Sequence, residues 1–152
     1  MGIVSSLLTS PFIKEVGKIF QSSGISKVAY IASDIILDHF ITKNWSQFST
    51  VPFKDFVATI YQETDNNLVY LEEDFCFMYD KLKAYGWLFQ YHTEEGIDMI
   101  LWQFSRRIGF QNDLTKSMKV YINEKENIDA LYGDFMQTIV ENSDQFIRKS
   151  LL

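Results

Sequence analysis

Few side chains in this chain could take part in chemistry, and the densest group of them surrounds the first histidine. Asp34 and Asp38 are four residues apart, which on a helix places them one turn apart, and His39 follows directly. A carboxylate beside an imidazole can exchange protons in general acid–base catalysis. The same spacing is also that of a solvated helix edge with a half-buried histidine. We adopt this second interpretation, so the sequence predicts no catalytic residue here.

The other carboxylates are also better explained without catalysis. Glu72, Glu73 and Asp74, with Asp80 further on, have the residue types of paired catalytic carboxylates. Successive helical residues point around the axis rather than toward one substrate, and acidic residues in a first turn stabilise the helix dipole. His92, close to Glu94 and Glu95, is interpreted as a loop contact.

Metal, cofactor and nucleotide signatures are missing. Two histidines and one cysteine leave little for a metal site with nitrogen and sulfur ligands, so neither a metal nor a cofactor is predicted. The chain contains no nucleophile elbow, no phosphate-binding loop and no dinucleotide fingerprint. The adjacent pair Arg106 and Arg107 could bind a phosphate bidentately, but we interpret both as surface charges. Cys76, in an apolar run, is interpreted as a buried small hydrophobe. We therefore expect a protein that is not an enzyme.

The strongest compositional feature is an acidic, aromatic central segment. Residues 54 to 98 hold ten acidic residues and only three lysines, and they account for the negative surplus behind the net charge of −6. Such a field speeds encounter with a basic partner, and exposed rings supply contact area. We therefore predict a non-catalytic binding or inhibitory protein, of the immunity, antitoxin or anti-defence type, with a basic protein partner. The predicted partner-binding residues are Tyr61, Glu63, Asp65, Tyr70, Glu72, Glu73, Asp74, Tyr79, Asp80, Trp87, Tyr91, Glu94 and Glu95. Phe53, Phe56, Phe75 and Phe89 are expected in the core.

Hydrophobic periodicity predicts a mainly α protein, a single-domain bundle of about five to six helices. The first helix begins at Pro11 and ends before Gly24, and the second runs from Ser26 to about Thr42. Residues 44 to 51 form a connector. The remaining helices are expected from Pro52, from Leu68 to a left-handed cap at Gly86, from Asn112 or Asp113, and from Asn127.

Residues 87 to 104 fit two structures equally well. Their strand-forming residues flank a short loop that ends at Gly96, which is typical of a β-hairpin. Ile97, Ile100, Leu101 and Phe104 also follow helical spacing, so a helix from residue 94 to 107 is the alternative.

The stretch Leu82-Lys83-Ala84-Tyr85-Gly86-Trp87-Leu88, followed by such a hairpin, resembles the junction between recognition helix and wing in winged-helix domains. The resemblance covers residues 53 to 104 and implies nucleic-acid binding, which is our alternative function. The acidic residues of the recognition helix and of the wing tip would repel phosphates. We therefore expect no nucleic-acid partner.

Length and composition predict a single globular domain over residues 1 to 152, with residues 1 to 9 as a possible N-terminal arm. Hydrophobic content of 47% and only two prolines predict a compact core. No apolar run is long enough to cross a membrane, and no signal peptide is recognisable, so a cytoplasmic protein is expected. Gly2 and Ser6 fit the N-myristoylation pattern, which makes a membrane-tethered adaptor a further alternative.

Overall fold

The computed structural model describes the backbone of residues 11–151 and the side chains of residues 11–142. This part of the chain forms nine α-helices and two single-turn 3-10 helices, and it contains no β-strand. The predicted helical class is therefore confirmed, whereas the nine helices of the described residues exceed the five to six predicted. Gly2, the predicted acylation site, and the predicted N-terminal arm lie outside the described residues.

The helices follow one another with short connections. Their bounds are α1 Pro11–Ser22, α2 Ala29–Lys43, α3 Trp45–Phe48, α4 Phe53–Asn66, α5 Glu73–Ala84, α6 Trp87–Gln90, α7 Glu94–Arg107, α8 Ser117–Asn123 and α9 Lys125–Leu151. The 3-10 turns cover Leu68–Tyr70 and Leu114–Lys116.

The chain divides into two compact units, whose boundaries fall within α2 and α7. We call residues 38–100 the central unit, and residues 11–37 with 101–151 the terminal unit. The prediction of a single domain stays a prediction.

The terminal unit holds most of the buried apolar side chains. Helix α9 packs along α1, and α8 contacts α9. Large side chains that are fully buried here include Phe20, Ile36, Leu101, Tyr121 and Tyr132. Ser33 is buried among them and bonds to Tyr132, whose hydroxyl donates to the Ser33 carbonyl oxygen at 2.7 Å. Apolar burial and one satisfied polar pair thus stabilise this unit.

The central unit has a much smaller core. Its buried apolar residues are Phe40, Val57, Tyr79, Ile97 and Ile100. Contrary to the prediction, Phe56, Phe75 and Phe89 remain 38–41% exposed. The helices of this unit are short and carry more rings than so small a core can enclose, so apolar surface remains exposed.

Residues 87–90 and 94–107 form helices, so of the two alternatives the hairpin is wrong and the helix from residue 94 to 107 is confirmed. Gly86, at φ +60°, ends the α5 segment as the left-handed cap that the sequence predicts. Gly96 is not a turn residue but the third residue of α7, where its N–H donates to Thr93 Oγ1 at 3.0 Å. Thr93 therefore caps the helix. Without a wing, the winged-helix resemblance fails as well.

Several helix boundaries also differ from those predicted from the sequence. Helix α2 begins at Ala29 rather than Ser26, and the last helix begins at Lys125 rather than Asn127. The predicted connector contains the short helix α3. The predicted fourth helix divides into a 3-10 turn and α5, because Leu71 and Glu72 adopt extended backbone angles. None of the helices described combines the length and the apolar character needed to cross a bilayer.

Candidate functional site

A pocket of about 260 Å³ opens in the central unit, where α2, α3, α4 and the segment after α6 meet. Its lining is mostly apolar, with one carboxylate, one hydroxyl and one phenol. The lining residues are Asp38, Ile41, Thr42, Trp45, Phe53, Phe56, Val57, Ile60, Leu88 and Tyr91. A concave apolar pocket with a few convergent polar groups is the usual form of a ligand site.

Aromatic packing builds the apolar wall. The Trp45 ring lies with its centroid 4.7 Å from that of Phe56 and 5.2 Å from that of Phe53, the latter edge to face. The indole Nε1–H donates to the Val51 carbonyl oxygen at 2.7 Å. This hydrogen bond closes the loop after α3 and fixes the ring against α4. The wall is therefore preformed by contacts that are local in the chain.

The polar wall combines α2 with Tyr91. Asp38 is exposed, and the Thr42 hydroxyl donates to the Asp38 carbonyl oxygen at 2.6 Å. Burial and the nearby Asp38 charge raise the pKa of Tyr91 to about 12. Tyr91 thus keeps its proton at neutral pH and stays a hydrogen-bond donor. An aspartate and a hydrogen-bond-donating tyrosine therefore line the same pocket.

His39 supports this wall from behind. The ring is only 3% exposed, and its Nδ1 donates to the Tyr91 carbonyl oxygen at 2.6 Å. In the neutral ring this hydrogen bond leaves the lone pair on Nε2. The prediction of a half-buried histidine is wrong, because His39 is fully buried and ties α2 to the residue after α6.

The predicted partner-binding residues do not form one accessible aromatic surface. Tyr79, expected to be accessible, is 4% exposed, whereas Tyr70 is 82% exposed. Tyr61, Trp87 and Tyr91 are partly buried. The acidic members are exposed: Glu63, Asp65, Glu72, Glu73, Asp74, Asp80, Glu94 and Glu95. Partner binding by these residues stays a prediction.

Three of those residues do meet, but as a structural cluster. The Tyr79 hydroxyl lies 2.9 Å from Asp65 Oδ1 and 3.0 Å from the Tyr61 carbonyl oxygen. Lys83 Nζ lies 2.7 Å from Asp65 Oδ2. Hydrogen bonds from Lys83 and Tyr79 lower the pKa of Asp65. These contacts join α4 to α5.

The remaining candidates have structural surroundings. His92 packs on Phe53 with ring centroids 4.7 Å apart, and the Arg106 guanidinium lies 4.9 Å from the Trp102 ring centroid. Cys76 is partly rather than fully buried, which corrects the prediction. Asp34 belongs to the terminal unit, and desolvation raises the pKa of its carboxyl group. Within the side chains described, residues 11–142, no three His, Cys, Asp or Glu are grouped to hold a metal ion.

Fold and pocket together define a helical protein whose central unit holds a small, mostly apolar pocket lined by one aspartate and one tyrosine. The family model described as acyl carrier protein phosphodiesterase matches residues 8–139, and the chain therefore belongs to this family. The matched range contains the whole central unit and every residue that lines the pocket.

One relative gives the same indication. The acyl carrier protein phosphodiesterase of Photorhabdus laumondii subsp. laumondii is 26% identical over 137 residues, which cover 90% of this chain and 69% of that protein. No solved structure matches the chain.

Family membership corrects the function predicted from the sequence. A phosphodiesterase family is an enzyme family, so the expectations of a non-catalytic binding or inhibitory protein and of a protein that is not an enzyme are wrong. Asp38 and Tyr91 lie far apart in the sequence and line the same pocket only in the folded chain, so no short local motif contains both. The adjacency of Asp38 and His39 is a local signal, but a solvated helix edge has the same spacing.

Proposed function

We propose that this chain is a hydrolase that cleaves a phosphodiester bond in an acyl carrier protein, with the pocket of the central unit as its site. The observation that carries the proposal is the family match over residues 8–139, which includes that pocket in full. The pocket adds the kinds of groups that hydrolysis requires.

Phosphodiester hydrolysis needs a water molecule to attack phosphorus while the leaving oxygen departs. Asp38 is placed to accept a proton from that water, because a carboxylate at the pocket wall can act as a general base. Tyr91 is placed to donate a hydrogen bond to a phosphoryl oxygen or to the leaving oxygen, since its pKa of about 12 keeps it protonated.

His39 acts through Tyr91 rather than on the substrate. Its hydrogen bond to the Tyr91 carbonyl oxygen holds the backbone that carries the phenol. We therefore assign His39 a positioning role and Asp38 and Tyr91 the catalytic roles. The negative charge of Asp38 opposes the approach of an anionic diester, but its exposure to solvent screens this repulsion.

The apolar wall has a matching role in binding. The uncharged part of the group that is linked to the acyl carrier protein can pack against Trp45, Phe53 and Phe56. Such packing holds the phosphodiester near Asp38. Because the substrate group is attached to a protein, the acyl carrier protein is itself a proposed protein partner of this chain.

The test is the loss of mass from an acyl carrier protein that carries a phosphodiester-linked group. Intact mass spectrometry should record release of that group by the native chain. Asp38→Asn should reduce the rate by about 100-fold or more, and Tyr91→Phe by about tenfold or more, because each removes one proton-transfer or hydrogen-bonding group.

Asp55→Asn is the matched control. Asp55 is an exposed carboxylate of the central unit that does not line the pocket, so this variant should keep the native rate. Absence of release by the folded native chain would refute the proposed activity. Full activity in Asp38→Asn would refute the site but not the activity.

A further inference from the structure

Helix α5 presents an apolar face that its own unit does not cover. Of the sixteen large hydrophobic side chains that are exposed among the described residues, seven lie between residues 69 and 85: Val69, Tyr70, Leu71, Phe75, Phe77, Met78 and Tyr85. Three of the seven lie on α5 itself: Phe75, Phe77 and Met78, at 41%, 65% and 40% exposure. Single exposed apolar residues are ordinary, but such a concentration within one short segment usually marks a binding surface.

Helical geometry defines the outer side of α5. Tyr79 is buried and marks the inner side. The row Asp74, Phe77 and Lys81, at i, i+3, i+7 spacing, lies opposite Tyr79, and Met78 lies next to this row. Lys81 Nζ lies 4.4 Å from the centroid of the Phe77 ring, which places residues 77 and 81 side by side. We call these four residues the α5 face.

The charges on this face are arranged symmetrically. Asp74 lies three residues before Phe77 and Lys81 three residues after Met78, so the midpoint between the two charges falls between Phe77 and Met78. If two α5 helices pack antiparallel about a two-fold axis at that midpoint, each Asp74 meets the Lys81 of the other copy. The same axis brings the apolar side chains of Phe77 and Met78 together. The α5 face is therefore complementary to itself, as an isologous interface must be.

We propose that the α5 face is the interface of a homodimer in which α5 packs antiparallel against α5 of a second copy. A basic partner suits this face less well, because one of its two charges is positive. The net charge of −6 opposes self-association. At physiological ionic strength, however, the Debye length of about 8 Å screens charges outside the contact. The inference does not depend on the proposed hydrolysis.

The first experiment measures the mass of the full chain in solution by sedimentation at increasing protein concentration and physiological ionic strength. The native chain should form a reversible dimer. Met78→Glu should abolish it, since it places two carboxylates against each other beside the axis. Met78 is 40% exposed, so the substitution leaves the fold intact. Met99→Glu, at a 52% exposed methionine on α7, is the matched control and should dimerise like the native chain.

The second experiment tests the pairing of Asp74 with Lys81. In the Asp74→Lys dimer each of the two opposed pairs consists of two lysines, and in the Lys81→Asp dimer of two aspartates. Each variant should therefore weaken the dimer about tenfold or more. Mixing the two single variants should restore association, since in the mixed dimer every opposed pair again has opposite signs.

Three results would overturn the inference. They are a native chain that stays monomeric at all concentrations, a dimer that Met78→Glu leaves intact, and single variants that fail to associate when mixed. Circular dichroism of each variant separates loss of association from loss of helix. The hydrolysis assay on the same samples shows independently whether the proposed activity is present.

Discussion

At the scale of single residues, three buried polar side chains, His39, Tyr79 and Tyr132, bond to partners distant in sequence. The His39 ring bonds to the carbonyl oxygen of Tyr91, and the Tyr132 hydroxyl bonds to the carbonyl oxygen of Ser33. Buried polar groups cost free energy unless such partners exist. The residue types could be read from the sequence, but the pairs could not.

Removal of the Tyr132 hydroxyl tests the value of one buried pair. Tyr132→Phe should lower the free energy of unfolding by about 1–3 kcal/mol, because Ser33 remains buried without this partner. Urea denaturation measures the change. Tyr30→Phe, at a 58% exposed tyrosine of the same unit, should change stability by less than about 0.5 kcal/mol. Equal effects of the two substitutions would contradict the argument.

At the scale of elements, the capping of α7 explains why residues 87–104 form helices rather than a hairpin. Thr93 caps the helix, and Gly96 lies so close to the Gln90 carbonyl oxygen that a Cβ atom would overlap it. Gly96, which in the sequence suggests a hairpin loop, therefore allows the α6 segment and α7 to pack closely. Gln90 directly precedes Tyr91, so the same contact supports the pocket wall.

Two glycine-to-alanine substitutions, which are expected to change stability in opposite directions, test this contact. Gly96→Ala should destabilise the protein by roughly 1–3 kcal/mol through overlap with the Gln90 carbonyl group. Gly133→Ala, in α9, should stabilise it by about 0.5–1 kcal/mol, because a Cβ atom there meets no neighbour within 4 Å and alanine favours helix. Thermal unfolding compares the two variants, and a tolerated Gly96→Ala would show that the contact relaxes.

At the scale of the whole molecule, alkaline stability should depend on two tyrosines. The pKa values of Tyr79 and Tyr91 rise from 10.0 to about 12, in both cases mainly through burial. The folded state then holds these protons more tightly than the unfolded state. The contribution of these two tyrosines to the free energy of unfolding is therefore fully present below pH 10, and it decreases as the pH rises toward 12.

Urea denaturation from neutral to alkaline pH measures this loss. Tyr79→Phe and Tyr91→Phe should each make stability less dependent on pH in that window, since each removes one titrating group. Tyr85→Phe, at a tyrosine that is 72% exposed, should keep the native dependence. If both buried-site variants retain the full alkaline loss, other groups cause it.

The sequence by itself determined the helical class, most helix positions and the left-handed cap at Gly86, because 3.6-residue periodicity and capping are local properties of the chain. It also located the acidic segment and the adjacent pair Asp38 and His39. Only the tertiary structure decided that Tyr79 is buried while Phe75 and Phe77 are exposed, and that Asp38 and Tyr91 line one pocket. Those outcomes depend on contacts between residues many positions apart and on how many rings a small core can hold, and no local pattern encodes either.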